Sequence, residues 1–415
     1  MSGGAASEEV LSGGAASEGV LSGGEAPLIF LIAGEPSGDV LGAALMAALE
    51  ERTQGHIRFA GIGGERMAAR GLRSLVPIHE LAIMGIAEVL PRARNIFRRV
   101  KETADAIIAA EPAAVVTIDS RGFTWRVAKT LRKRGSTLPL IHYVAPMVWA
   151  WRAKNAFKIA RWYDHLMVLL PFEPPYFEAA GMACSYVGHP VVEGGADRGD
   201  GAAFRARHGI AAERKLLCVL PGSRRGEVAR LLPVLSETVG LLKSRFGELG
   251  LGDLAIVIPT VENVAEQVTA GTRDWPVPPL VIAGQDEKFD AFAASDAALA
   301  ASGTVGLELA MAGLPSVITY RLTPLTSLLA RYLVKVPFVN LINLVLGRAA
   351  VPEMLLEKCR ADLLAAEVER LLTQEQAARD QRADYREALL KLGLGGESPA
   401  LRAADTVLSV LAARR

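Results

Sequence analysis

Short runs of apolar residues alternate with longer amphipathic stretches over most of the chain. The first run is LIFLIA (28–33), and the stretch that follows it (38–50) has apolar residues at helical spacing. The same alternation continues through AVVTID (114–119) and PLIHYVA (139–145), runs that are typical of strands covered on both faces. Because consecutive parallel strands need crossover helices, the pattern predicts a doubly wound α/β sheet.

A polar, glycine-rich segment interrupts this alternation at residues 191–203, and a second series begins after it. That series starts with KLLCVLPG (215–222) and runs to LPSVITY (314–320). The pattern therefore predicts two similar domains, at residues 27–195 and 204–415, and we consider that the last helix can pack back on the first domain. The cleft between two such domains is the usual ligand site.

Residues 1–26 have a different composition, with the near-repeat SGGAASEEVL, SGGAASEGVL and SGGEA. Gly, Ala and Ser bury little surface, so we predict a flexible low-complexity tail and assign it no function. In the whole chain of 415 residues, 51% are hydrophobic and 22% charged, which is enough for two cores. The formal net charge is only +1, which argues against a nucleic-acid partner.

The cysteines and the apolar runs indicate the compartment. Cys184, Cys218 and Cys359 lie far apart without a metal-binding spacing, which favours a reducing environment over a disulfide scaffold. No apolar run reaches the roughly 18 residues of a transmembrane helix. The N-terminus lacks the basic and apolar regions of a signal peptide. We therefore expect a soluble intracellular protein.

Several familiar motifs are absent. The loops at 34–39 and 61–64 follow the first two predicted strands, and neither completes G-x-G-x-x-G. A P-loop, a G-x-S-x-G nucleophile elbow and an HExxH zinc helix are also missing. So is D-x-D, the pattern with which metal-dependent sugar-nucleotide enzymes commonly hold their cation. These absences argue against dehydrogenases, ATPases, hydrolases and metalloproteases, and we expect no metal and no cofactor.

Two strand-to-helix loops of the second domain have the composition of phosphate sites. In the first loop, Gly222 lets the backbone approach an anion and Ser223 can cap the following helix. Arg224 or Arg225 can supply a bidentate guanidinium to a phosphate. The alternative is an ordinary turn with solvated arginines.

The second loop consists of Ser302, Gly303 and Thr304, and it also leads from a strand into a helix. Its free N–H groups and the helix dipole suit a pyrophosphate. Glu308 lies about one turn inside that helix. It can accept hydrogen bonds from ribose hydroxyls, or it can be a helix-start glutamate that merely caps.

Seven segments resemble, in the same order, those of lipid-A-disaccharide synthases. They are LIAGEPSGDVLGA, GIGGERM, IHYVAPMVWAWRAKNAFKIAR, LPFEPPYF, GHP, LPGSRRGEV and ASGTVGLELAMAGLP. They cover most of the chain between Leu28 and about Pro315, and the block at 141–190 is the most distinctive. The resemblance implies a GT-B glycosyltransferase, in which two Rossmann-like doubly wound domains face a cleft.

The resemblance also implies a reaction. An inverting, metal-independent hexosyltransferase of this family transfers 2,3-diacylglucosamine from UDP-2,3-diacylglucosamine to the 6-hydroxyl of 2,3-diacylglucosamine 1-phosphate. The products are UDP and the β-1,6 disaccharide of lipid A. By this resemblance the two loops of the second domain bind UDP, and the acceptor lies near Ser37, Gly38 and Asp39 of the first domain.

Asp119 ends a predicted strand and matches an aspartate thought to be catalytic in the family. A carboxylate there can accept the proton of the acceptor hydroxyl. The alternative is a helix N-cap for the segment from Gly122. The family usually reads D-x-P-D-F where this chain has DSRGF (119–123), so a second carboxylate is missing and the acceptor side stays open. His142 and Glu35 are the next candidates for the base.

Two basic stretches with aromatic neighbours suit an anionic membrane surface. One is a predicted helix that begins at Trp149 and carries Lys154, Lys158 and Arg161 on one face; the other covers residues 91–101. Solvated helix faces are the alternative. Because the family's substrates carry acyl chains, we expect peripheral association with the inner-membrane surface from the cytoplasm, with a homodimer as one possible assembly.

Two other functions remain open at this point. One is a different GT-B UDP-sugar transferase that acts on another lipid acceptor, since it would share the nucleotide loops. The other is a non-catalytic nucleotide- or lipid-binding module, which the altered segment after Asp119 allows. For binding by apolar insertion, residues 325–346 are the richest stretch.

Overall fold

The computed structural model describes residues 25–81, 86–151, 153–323 and 336–414, so most of the predicted tail and part of the stretch 325–346 lie outside it. The described chain forms two six-stranded sheets in which all strands are parallel. Helices flank the sheets, so the predicted fold class of two doubly wound α/β domains is confirmed.

The strands of the first sheet are β1 (Leu28–Ala33), β2 (Arg58–Ile62), β3 (Ala114–Ile118), β4 (Leu140–Tyr143), β5 (His165–Val168) and β6 (Ala183–Tyr186). Those of the second are β7 (Leu216–Leu220), β8 (Ala255–Thr260), β9 (Leu280–Ala283), β10 (Ala297–Ala301), β11 (Ser316–Tyr320) and β12 (Glu353–Leu355). The central strands are apolar and buried along their whole length, which is what burial on both faces requires.

The helices between these strands fall into two groups. Those of the first domain are α1 (Pro36–Arg52), α2 (Glu65–Ala68), α3 (Ile86–Ala110), α4 (Arg121–Lys133), α5 (Val148–Trp151), α6 (Ala156–Ile159) and α7 (Pro174–Glu178). Those after the linker are α8 (Gly201–Arg207), α9 (Arg225–Glu248), α10 (Glu262–Gly271), α11 (Lys288–Ala294), α12 (Val305–Met311), α13 (Leu341–Leu346), α14 (Ala361–Thr373), α15 (Glu375–Lys391) and α16 (Pro399–Ala412). Short 3₁₀ turns lie at Ile78–Glu80, Ala153–Asn155, Pro190–Glu193, Ala196–Arg198 and Leu356–Lys358.

One predicted element is wrong. The single basic helix expected from Trp149 onward is divided into α5, a 3₁₀ turn and α6. The indole of Trp149 is buried and donates a hydrogen bond to the buried carboxylate of Glu173 over 3.1 Å.

Each sheet has a switch point, where the chain changes the direction in which it adds strands. The strand orders are β2-β1-β3-β4-β5-β6 and β12-β11-β10-β7-β8-β9. The switch points therefore lie between β1 and β3 and between β7 and β10. In the first sheet Ala33 pairs with Ile118, so the loops that follow these two strands begin side by side. Ligands of open α/β sheets bind at such points.

The chain passes between the domains twice, at neighbouring places. It first crosses after β6 and returns after α15, where the N–H of His189 donates to the carbonyl of Leu392 over 2.9 Å. Gly188 has a φ of 91°, and a Cβ there would lie 3.2 Å from that same carbonyl oxygen. We call residues 187–190 and 391–394 the crossover pair.

After the second crossing, α16 packs against α1 of the first domain. Its residues Ala403, Ala404 and Val407 are buried in the same apolar cluster as β1. At the surface, Arg52 of α1 donates to Asp405 over 2.8 Å. The end of the chain is thus part of the first domain's core.

Candidate functional site

The two loops that were predicted to bind phosphate lie on one cavity at the second switch point. Its volume is about 210 Å³. Its lining includes Gly222 and Ser223 after β7 and residues 301–305, which run from the end of β10 to the start of α12. The structure thus brings together segments that lie about 80 positions apart in the sequence. Further walls come from the ends of β8 and β9 and from the start of α11.

The loop after β7 differs in one detail from the prediction. Ser223 does not cap α9, because the helix begins at Arg225 and Arg224 holds the N-cap position without a side-chain hydrogen bond. Instead the N–H of Ser223 donates to the buried carboxylate of Glu227 over 3.0 Å. Gly222 has a φ of 107° and a Cβ there would meet the same carboxylate at 2.1 Å, so this turn requires glycine.

The loop after β10 leads into α12, whose N-cap, Thr304, also makes no side-chain hydrogen bond. The first N–H groups of both helices therefore lack capping side chains, as an anion site at a helix N-terminus needs. Glu308 forms an ion pair with Lys288 at 2.6 Å. Lys288, which the sequence did not single out, lies 5.6 Å and 5.8 Å above the ring centroids of Phe289 and Phe292.

Across from this cavity, charged side chains of both domains approach each other. Partial burial and the neighbouring charge of Asp119 raise the pKa of Glu35, while Arg121 and Arg224 act on it in the opposite direction. Arg224 belongs to the second domain, so its guanidinium faces the first domain across the cleft. Arg225 exerts no such effect on Glu35.

Asp119 lies at the first switch point in an unusual backbone conformation. Its φ is 44° and that of Ser120 is 46°, although neither residue is glycine. The hydroxyl of Thr124 donates to the carbonyls of both residues, at 2.8 Å and 3.1 Å. Such left-handed residues cluster at functional sites, where the surrounding structure holds them in place.

The capping alternative for Asp119 is wrong, because α4 begins at Arg121 and Ser120 occupies the N-cap position. Among the residues that the structure describes, none donates a hydrogen bond to the Asp119 carboxylate, and that carboxylate is half-buried. Gly34 allows the close approach of the two loops, since a Cβ there would meet the Ser120 hydroxyl at 2.3 Å.

The predicted acceptor residues lie on the same side of the first sheet. Ser37 is exposed in the first turn of α1, whereas Gly38 is buried beside the end of β3. The carboxylate of Asp39 accepts hydrogen bonds from the N–H groups of Gly64, at 2.7 Å, and of Arg66, at 2.9 Å. Asp39 thus holds the start of α2, and its role toward the acceptor stays a prediction.

His142 is a poor candidate for the base. It is fully buried, and burial lowers its pKa to about 3. Its Nδ1 lies 2.7 Å from the hydroxyl of Thr117, and its Nε2 accepts from the indole of Trp125 over 3.5 Å. Both ring nitrogens are therefore engaged inside the domain.

Glu173 is a buried acid at the contact between the two domains. Glu173 accepts from the indole of Trp149 and, over 3.0 Å, from the N–H of Leu170. Burial nevertheless raises its pKa to about 7. Trp149 also packs edge-on against Phe172, with centroids 5.2 Å apart, and shares an apolar cluster with Leu307 of the second domain.

Near this acid, aromatic and basic side chains are exposed on one surface. Phe157 and Tyr176 are 55% and 41% exposed and line an apolar groove of about 320 Å³ together with Lys154. Lys158 is exposed on the same short helix as Phe157. We call these four residues the aromatic–basic surface.

The second basic stretch falls within α3. The side chain of Arg92 is not among those that the structure describes. Phe97 is 61% exposed, with Arg98 and Lys101 exposed beside it. Arg99 instead forms an ion pair with Glu80 at 2.7 Å. Within the described ranges, no helix is long and apolar enough to cross a bilayer. The same ranges contain no cluster of three or more metal-ligating side chains.

Comparison with known proteins gives one family for almost the whole chain. The family described as lipid-A-disaccharide synthetase matches residues 29–401. A lipid-A-disaccharide synthase of Paramagnetospirillum magneticum is 56% identical over 386 residues, which are 92% of this chain and 97% of the relative. Another, of Rhodospirillum centenum, is 53% identical over 387 residues, which are 93% of this chain and 95% of the relative.

Solved structures that resemble this one share its fold at low sequence identity. A Neisseria meningitidis UDP-GlcNAc 2-epimerase bound to UDP-GlcNAc has a TM-score of 0.58 at 12% identity, covering 94% of this chain and all of that one. MurG of Acinetobacter baumannii has a TM-score of 0.55 at 13% identity, with 92% and 99% covered. These likenesses show the two-domain architecture.

Proposed function

Since the chain belongs to the lipid-A-disaccharide synthase family, we propose that it transfers 2,3-diacylglucosamine from UDP to the 6-hydroxyl of 2,3-diacylglucosamine 1-phosphate. The products are UDP and a β-1,6 disaccharide. The observation that carries this proposal is the cavity at the second switch point, which is lined by the strand-to-helix loops that lead into α9 and α12. A diphosphate is the group that such an arrangement suits.

The donor occupies the second domain in this proposal. The N–H groups that begin α9 and α12 hold the diphosphate, and Arg224 adds a positive charge on the side of the cleft. Glu308, already oriented by Lys288, accepts from the ribose hydroxyls. These donors also stabilise the charge that develops on UDP as it leaves.

The acceptor approaches from the first domain. Asp119 takes the proton of the 6-hydroxyl while that oxygen attacks the anomeric carbon on the side opposite UDP. The bond from this carbon to the UDP oxygen breaks, and UDP departs with the electron pair. A single displacement of this kind inverts the anomeric centre. The raised pKa of Glu35 makes it the second candidate for the proton acceptor.

Measurement of UDP release tests the function. The acylated UDP-sugar is supplied with and without acylated glucosamine 1-phosphate, and release together with disaccharide formation is expected only when both are present. Release that requires another lipid acceptor would indicate a different transferase. Tight UDP binding without turnover on any acceptor would indicate a binding module.

Arg224→Ala should weaken UDP binding by about 1.5–3 kcal/mol, because a charge-assisted hydrogen bond to the diphosphate is lost. Titration calorimetry with UDP measures this change. Arg225→Ala is the matched control, since it removes the neighbouring exposed guanidinium, which exerts no effect on the cleft acid Glu35. Equal losses in the two variants, or none in either, would remove Arg224 from the site.

We also propose that the protein associates peripherally with the inner-membrane surface through the aromatic–basic surface. Phe157 and Tyr176 offer apolar area to the acyl region, and Lys154 and Lys158 offer charge to anionic headgroups. This places acyl-bearing substrates close to a groove of the first domain.

Binding to vesicles that contain anionic lipid should fall as the salt concentration rises, since exposed charges are screened within about 10 Å at 0.1 M. Lys158→Ala should weaken binding about five-fold, because one such lysine contributes about 1 kcal/mol. The control is Lys358→Ala, which removes an exposed lysine of the second domain. Vesicle sedimentation measures both. Binding that is insensitive to salt and to Lys158→Ala would contradict this surface.

A further inference from the structure

The hydroxyl of Thr260 is a buried polar group without a partner. Thr260 is the last residue of β8, is only 6% exposed and lines the cavity. Its Oγ1 makes no hydrogen bond with any residue in the described parts of the chain. An unsatisfied buried hydroxyl costs free energy, and a valine of the same shape would avoid that cost. Thr260 thus borders the cavity with a hydroxyl that the described protein leaves unsatisfied.

The position of β8 indicates which part of a nucleotide reaches this hydroxyl. The phosphate loops follow β7 and β10, and the sheet continues from β7 to β8 and then to β9. Neighbouring strands lie about 4.8 Å apart. With the diphosphate at the switch point, the nucleoside therefore extends over the ends of β8 and β9. There the cavity is lined by Thr260, Val261 and Gly284.

In the proposed donor site the ribose hydroxyls bind Glu308, so the base is the group left for Thr260. A uracil ring carries two carbonyl oxygens and one N–H at its edge, and a hydroxyl can donate to the former or accept from the latter. The backbone at this place is already used, since the carbonyl of Thr260 accepts from the N–H of Gly284 over 3.0 Å. The side chain is thus free to bind the ligand.

We propose that the Thr260 hydroxyl recognises the base of the donor nucleotide through a hydrogen bond to its polar edge. This inference rests on the proposed UDP site and names a residue that selects its base. Thr260 is then a ligand-binding residue, and its unsatisfied hydroxyl lowers the stability of the ligand-free fold.

The test compares Thr260→Val with Thr260→Ser in titrations with UDP, UMP and pyrophosphate. Thr260→Val keeps the β-branched shape and should weaken UDP and UMP alike, by about 5- to 30-fold, because the edge of the base loses its partner. Pyrophosphate, measured by displacement, should bind as in the wild type. Thr260→Ser keeps the hydroxyl and should stay within about three-fold of the wild type for UDP, because the hydrogen bond to the base is retained.

A matched control separates recognition from folding. Thr319 is a fully buried threonine of β11 whose hydroxyl donates to the carbonyl of Met354 over 2.8 Å. Thr319→Val should therefore lower the melting temperature and leave UDP affinity unchanged. Thr260→Val should melt no lower than the wild type without ligand, because it removes an unsatisfied group.

The outcomes distinguish this inference from the function on which it rests. Unchanged UDP affinity in Thr260→Val overturns the inference alone, and so does an equal loss for pyrophosphate, which would place the hydroxyl at the phosphate end. A lower melting temperature in Thr260→Val would show that the hydroxyl serves the fold, and it overturns the inference too. A wild-type protein that fails to bind UDP overturns both proposals.

Discussion

Asp119→Asn should lower the rate of disaccharide formation by a factor of roughly 10²–10⁴, because the amide cannot take the proton of the acceptor hydroxyl. Folding should be unaffected, since asparagine tolerates a left-handed backbone and the Asp119 carboxylate receives no hydrogen bond from the described residues. UDP affinity should stay within about two-fold of the wild type, because the donor lies across the cleft. Single-turnover rates and UDP calorimetry measure the two quantities.

The control for this variant is Glu35→Gln, which removes the other carboxylate of the cleft. If Asp119 is the base, Glu35→Gln retains most of the rate. Near-normal turnover in Asp119→Asn together with a large loss in Glu35→Gln would transfer the role to Glu35. His142 is not an equal alternative, because it is fully buried and both of its ring nitrogens are engaged. A lowered melting temperature would indicate a structural role for Asp119.

The free energy of unfolding should fall by about 3 kcal/mol between pH 4 and pH 8 through Glu173 alone. Burial raises the pKa of this carboxyl from 4.5 to about 7 in the folded state. The folded protein therefore holds a proton that the unfolded chain releases near pH 4.5. At low pH this difference in pKa stabilises the folded state. That stabilisation is lost as the pH rises from 4.5 through 7, because the folded state then loses its proton too.

Denaturant unfolding of the wild type and of Glu173→Gln at several pH values isolates this effect, because glutamine does not titrate. The wild type should lose about 3 kcal/mol relative to the variant over this range. Glu178→Gln is the matched control, since it removes an exposed carboxylate at the end of the same helix and should leave the wild-type pH dependence intact. Parallel curves for the wild type and Glu173→Gln would contradict the prediction.

How much of the fold the sequence predicts depends on where each strand lies in its sheet. β1, β3 and β7 are central and buried along almost all of their length, so they appear as continuous apolar runs. β6 and β12 are edge strands of four and three residues that are mostly half-buried. A half-buried strand of that length has no pattern that differs from a loop, and the prediction lacked both.

The candidate site divides in a similar way. The two loops that line its cavity were predictable because glycine and small polar residues follow an apolar run there, and their binding of phosphate stays a prediction. Thr260 and Lys288 have no local pattern of this kind. A threonine that ends a strand is common for its β-branched shape, and a lysine that begins a helix is common at a surface. Only the packing of β8 and α11 around the cavity identifies Thr260 and Lys288 as residues of the site.

The crossover pair has a mechanical consequence for the two substrates. The two chain crossings run side by side through Gly188 and Gly393 and are joined by the hydrogen bond between His189 and Leu392. Because both crossings lie at one place, we expect rotation of one domain about the crossover pair as the motion between the domains. Glu35 of the first domain and Arg224 of the second face each other across the cleft. Such a rotation would change the gap between these two side chains, and with it the distance between donor and acceptor in the proposed reaction.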